Sequence, residues 1–175
     1  MRSKQWIITM AVVAVGIFLF AGIGSTDNKE SKEVIELNWV KYDKGLELAA
    51  KANKPIMVDF YTNWCKFCKK MDKETFAEET VAKYLNENFV IIKVNAESKE
   101  TVITADGSLS ERALSKSFGV RGYPAYWFLK PDGEKISNIP GYVPADKFII
   151  VLQYFAEGHY ETKTLKDYFN SLQSN

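Results

Sequence analysis

Apolar positions along this chain fall into runs of different period. Residues 7–23 are a nearly unbroken apolar stretch, interrupted only by Thr9, Gly16 and Gly22. Further on, Trp39, Tyr42, Leu46, Ala49 and Ala50 recur at helical spacing and predict an amphipathic helix ending near Asn53 and Pro55. Residues 56–61 are short and almost wholly apolar, the pattern of a strand covered on both faces. Met71, Phe76, Val81, Tyr84 and Leu85 predict the buried side of one helix over about 65–86, and residues 89–94 predict a second strand. The polar stretch 95–108, closing on Asp106 and Gly107, reads as a loop. A helix over 111–118 stops at Gly119, and a strand over 125–129 turns at Pro131, Asp132 and Gly133 into another over 134–139. Residues 145–157 predict a helix with Phe148, Ile149, Val151, Leu152 and Phe155 inward, and 162–172 a last one.

The order α-β-α-β-α-β-β-α predicts an α/β fold of three layers, α/β/α, around a central mixed sheet. A chain of 175 residues accommodates one ordinary domain with a full core. Its limits are read as 35–157, preceded by a polar linker over 25–34 and followed by a helical extension over 158–175. No internal repeat or low-complexity segment is present.

The first 24 residues form a separate object. Arg2 and Lys4 are a short basic start, the apolar stretch follows, and Gly22 and Gly24 supply the small residues of a cleavage site. The stretch reads either as a signal peptide or as an uncleaved membrane anchor, since about 17 apolar residues is the lower limit of a spanning helix. In both cases the positive start stays on the cytoplasmic side and the domain is exported, periplasmic or anchored facing the periplasm. Beyond the leader, 21 basic residues stand against 22 acids, which gives no electrostatic ground for binding nucleic acid.

Cys65 and Cys68 are the only cysteines, placed where the apolar strand gives way to a helix start. Helix-terminal amides and the positive end of the helix dipole stabilise a thiolate, and Lys66 and Lys69 add positive charge. Cys65 is therefore expected to be the exposed, attacking thiol and Cys68 the resolving one. A loop of two residues is too small to staple a fold, so the pair reads as a redox-active disulfide that needs no other cofactor. A zinc site would need four ligands, and His159 is the sole histidine, so no metal is expected.

Asp59 interrupts the apolar strand six residues before Cys65; a buried carboxyl there has its pKa pushed up and can accept the Cys68 proton. Asp72 is either a second acid or a solvated one. Pro124 opens a strand, where a proline fits only at the first residue, and cis prolines occur at such turns. Trp64, Phe67 and Tyr123 are candidate contacts for a partner beside the thiols.

The run Val58, Asp59, Phe60, Tyr61, Thr62, Asn63, Trp64, Cys65, Lys66, Phe67, Cys68 resembles the thioredoxin motif VDFWAxWCxxC, and Gly122, Tyr123, Pro124 resemble its cis-proline turn. Glu74, Thr75 and Phe76 resemble the C-terminal domain of the electron transporter DsbD and exported SoxW-like thioredoxins. The resemblance implies a thioredoxin fold and a thiol:disulfide oxidoreductase working through a mixed disulfide. Asp59 would be its buried proton acceptor and Pro124 its cis proline. It also implies protein thiol or disulfide substrates, a membrane-embedded thiol reductase as electron donor, and a monomer. Lys66 and Phe67 replace the Gly-Pro of thioredoxin, Tyr123 replaces the usual Ile, and the loop over 96–110 is longer. The direction of electron flow stays open between a reductase, favoured here, and a thiol oxidase or disulfide isomerase with the same site. A non-catalytic module binding through the Pro124 groove is the alternative from a different class.

Overall fold

A computed structural model describes residues 35–104 and 107–174. The leader over 1–24 and the linker over 25–34 lie outside the described residues.

Helix α1 (Tyr42–Ala52) ends at Asn53, whose backbone turns left-handed and closes the helix onto the Ala49 carbonyl. Strand β1 (Ile56–Tyr61) leads into helix α2 (Lys66–Lys70), a π-helical turn (Met71–Thr75) and helix α3 (Glu79–Asn88). Strand β2 (Val90–Asn95) follows, then a hairpin of β3 (Thr101–Thr104) and β4 (Gly107–Ser110). Helix α4 (Glu111–Ser117) precedes β5 (Ala125–Leu129), β6 (Lys135–Pro140) and α5 (Ala145–Ala156). A 3-10 turn (His159–Glu161) leads to α6 (Leu165–Gln173).

Four strands form one mixed sheet in the order β2-β1-β5-β6. β1 runs parallel to β2 and antiparallel to β5, so its hydrogen bonds are taken on both sides. Alternation along β1 then sorts its side chains into two cores. Ile56, Val58 and Phe60 pack with Tyr42, Ala49, Ile92, Leu114 and Phe118 on one face. Met57 packs with Met71, Phe76, Leu85, Phe128, Phe148 and Phe155 on the other. Helices thus cover both faces, the three-layer α/β thioredoxin fold. Gly45 lets α1 lie close to the sheet, because a Cβ there would run into the Ile92 side chain.

The structure departs from the sequence pattern in three places. The helix read over 65–86 is broken: the Phe76 amide reaches back five residues to the Met71 carbonyl, and the backbone is extended at Glu78. That wide turn swings Phe76 into an aromatic cluster with Trp39, Tyr126 and Phe148. The turn is held from outside, since Thr75 donates to the Val143 carbonyl at 2.7 Å and Met71 sulfur accepts the Val143 amide at 3.3 Å. Local periodicity carries no trace of such contacts. Second, the stretch over 95–108, read as a loop, holds β3 and the start of β4, and Val102 of β3 is buried while Ile103 faces out. Third, Trp39 precedes α1 and Ala50 is exposed; Trp39 leads instead into Val40, which forms a single parallel bridge to Ile92. The segment after 157 forms the further helix expected there, and its Tyr168 is buried in the same core as Tyr154 and Phe155.

Candidate active site

The site begins where β1 ends. Thr62 accepts the Cys65 amide at 3.2 Å, closing the turn that delivers Cys65 to the cap of α2. Cys65 and Cys68 are joined in a disulfide with Cα atoms 5.3 Å apart. The Cys65 sulfur accepts the Cys68 amide at 3.0 Å, so it sits at the amide-rich helix end. Anionic sulfur there is stabilised by the same amide and by the helix dipole.

Exposure of Cys65 differs from the sequence expectation. Its relative accessibility is 4 % against 5 % for Cys68, so neither thiol group is the exposed one in this disulfide form. The bond to Cys68 and the amide contact turn the Cys65 sulfur in over the helix end. What stands in solvent is the flanking aromatic pair, Trp64 at 63 % and Phe67 at 58 %. Trp64 meets Tyr123 edge-on at 6.1 Å between ring centroids.

Pro124 is buried and the Tyr123–Pro124 bond is cis. The Pro124 carbonyl already accepts the Gly141 amide at 2.8 Å. The free backbone at this turn is therefore that of Tyr123, which makes no backbone hydrogen bond among the described residues.

Asp59 is buried within β1, and its Oδ2 lies 3.7 Å from Lys93 Nζ. Burial pushes its carboxyl up to about 7; Lys93 pulls it down in part and Asp72 raises it. Lys93 also holds Asp72 at 2.6 Å. Asp72 is thus a half-exposed acid tied to Asp59 through Lys93. Because Asp72 follows Cys68 by one turn, this link places Asp59 on the face of the sheet that α2 and the π turn cover.

Lys93 is the site residue that sequence reasoning overlooked. It interrupts Val90, Ile91, Ile92 and Val94 much as Asp59 interrupts β1, and that lone charge in an apolar run was the available signal. Its ammonium lies between the rings of Trp39 and Tyr61, at 5.0 and 5.2 Å. Aromatic faces there replace part of the water a half-buried ammonium loses.

Fold, helix-capping disulfide and cis-proline turn together define a class, the thioredoxin-like disulfide oxidoreductases. The chain belongs to the thioredoxin-like domain family, whose model matches residues 42–156. Among curated proteins it is similar to the thiol:disulfide interchange protein DsbD of Vibrio vulnificus, 28% identical over 136 residues, 73% of this chain and 21% of that protein. DsbD of Neisseria meningitidis is 34% identical over 98 residues, 55% of this chain and 15% of its own length. The chain therefore spans about a fifth or less of these relatives. Among solved structures, a thioredoxin-fold protein from Helicobacter pylori superposes with a TM-score of 0.59 at 22% identity, over 82% of this chain and 89% of that one.

Proposed function

We propose that this protein is an exported reductant of protein disulfides, using Cys65 as attacking and Cys68 as resolving thiol. The observation that carries the reading is the Cys65 sulfur capping α2 through the Cys68 amide, with a raised-pKa carboxyl on the sheet face below. In the reduced protein the Cys65 thiolate attacks a substrate disulfide; a Cys65–substrate bond forms and one substrate sulfur leaves as thiolate. Cys68 then gives its proton to Asp59 and attacks the Cys65 sulfur. The Cys65–Cys68 disulfide closes, the second substrate sulfur leaves, and two electrons have passed to the substrate.

Trp64, Phe67 and Tyr123 offer an exposed apolar rim to a protein partner, and the unpaired Tyr123 backbone offers main-chain hydrogen bonds to an extended segment. Similarity to DsbD supports a membrane-embedded thiol reductase as the donor that restores the dithiol. The basic start and apolar stretch of residues 1–24 support export, to the periplasm or to an anchor facing it.

Trapping tests the assignment. Cys68→Ser incubated with a disulfide-containing protein such as insulin should accumulate a mixed disulfide at Cys65, and Cys65→Ser should form none. Equal trapping by both variants would overturn the roles, and trapping by neither would leave a binding module.

A further inference from the structure

β1–β5 pairing sets Tyr126 directly opposite Asp59, so both side chains leave the sheet on one face. Residues paired in this way have Cβ atoms about 5 Å apart. Tyr126 is fully buried, its ring held edge-on by Phe76 at 5.8 Å and Phe148 at 5.3 Å. Those contacts would be met as well by a phenylalanine. The hydroxyl, however, is buried with no hydrogen-bond partner among the described residues, and so is Oδ1 of Asp59. Asp59 turns its other oxygen, Oδ2, to Lys93.

Buried polar atoms in native proteins are nearly always paired, because leaving one unpaired forfeits its hydration with nothing in return. Here one orphan is a donor and the other an acceptor, on facing positions of neighbouring strands. The hydroxyl is also a permanent donor. Burial, with the Asp59 and Asp72 carboxylates adding to it, holds its ionisation far above the ordinary tyrosine range.

We propose that Tyr126 is a positioning residue for Asp59, its hydroxyl donating to Oδ1 directly or across one water and so favouring the ionised carboxylate that accepts the Cys68 proton. The inference rests on the role given to Asp59 above and adds to it a residue that the cysteine motif does not point to. Asp59 is faced by Lys93 from β2, Asp72 from the π turn, Tyr61 from its own strand and Tyr126 from β5. Lys93 favours the ionised form and Asp72 opposes it. Replacing Tyr126 by phenylalanine alters neither charge.

Resolution by Cys68 can be followed when reduced protein reacts with Ellman's reagent: the second thionitrobenzoate is released as Cys68 attacks the mixed disulfide at Cys65. Between pH 5 and 9, Tyr126→Phe should move the midpoint of this rate upward by about one pH unit, the worth of one hydrogen bond to a charged group. Its alkaline plateau should stay within about twofold of the parent, as expected of a donor that tunes the acid rather than shapes the site. Titration of the Asp59 carboxyl by NMR in the oxidised variant should move the same way. An unmoved midpoint, or loss of plateau rate alone, would overturn the proposal and reduce Tyr126 to packing. Asp59→Asn separates the two levels. If it abolishes the midpoint while Tyr126→Phe does not shift it, only the Tyr126 role fails. If Asp59→Asn itself leaves the profile unchanged, the proton-accepting role of Asp59 falls, and this inference with it.

Discussion

A carboxyl buried in a strand is a stability liability that has to be weighed against its use. Asp59 titrates near 7 in the oxidised fold instead of at the ordinary 3.8, because burial outweighs the help from Lys93. The folded state thus holds its proton more tightly than the unfolded chain does. Well below pH 4 both states are protonated and the titration of Asp59 adds nothing to stability either way. As pH rises from about 4 to 7 the unfolded chain ionises first, and stability is lost up to the folded pKa and is constant above it. Asp59→Asn should therefore stabilise the oxidised protein at pH 8 by a few kcal/mol, on the order of 4 from the shift alone. The gain should vanish near pH 4, as denaturant melts at the two pH values would show; an equal effect at both would mean that Asp59 titrates normally. Asp59, Cys65, Cys68 and Pro124 were all legible in the sequence, since each breaks a local pattern. Tyr126 was not, for a tyrosine in an apolar strand breaks none, and only pairing across the sheet sets it against Asp59.

Elements were read well wherever burial alone dictates the period. β1 and β5 have the limits their apolar runs suggested, because a strand covered on both faces tolerates no polar step except one with a purpose. The active-site helix was misread for the opposite reason. Met71, Phe76, Val81 and Leu85 do face one core, but over a π turn and a non-helical step rather than along a single helix. Its interruption comes from Val143, far along the chain, and from the aromatic cluster that receives Phe76. Phe76→Ala should accordingly cost about 3–5 kcal/mol of unfolding free energy by emptying that cluster. Lys73→Ala, exposed on the same turn, should stay within about 0.5 kcal/mol. Comparable losses from both would contradict the placement of Phe76. The β3–β4 hairpin escaped notice because it is short and largely polar, with Val102 alone buried among the described residues of its two strands.

At the scale of the whole molecule, the alternation of helices and strands was enough to give the layered α/β fold, and the cysteine and proline motifs its family. The C-terminal helix was legible as an element, but its docking was not, because few apolar residues along it signal the contact. Tyr154 donates to the Lys163 carbonyl at 2.7 Å, and the Tyr168 ring lies stacked on His159 and tilted against Tyr154. Tyr168→Ala should lower stability by about 3 kcal/mol, measurable as a drop in Tm, while leaving thiol exchange in the folded protein intact. A variant with unchanged Tm would make residues 158–175 a dispensable appendage. The direction of electron flow belongs to the same scale, since it depends on how the complete fold stabilises dithiol against disulfide. The equilibrium reduction potential of Cys65–Cys68, read by alkylation shift in dithiothreitol or glutathione buffers, tests it most directly. A reductant requires a value near that of thioredoxin, about −270 mV; a value towards the strong oxidases, about −120 mV, would contradict the account and make the protein a donor of disulfides.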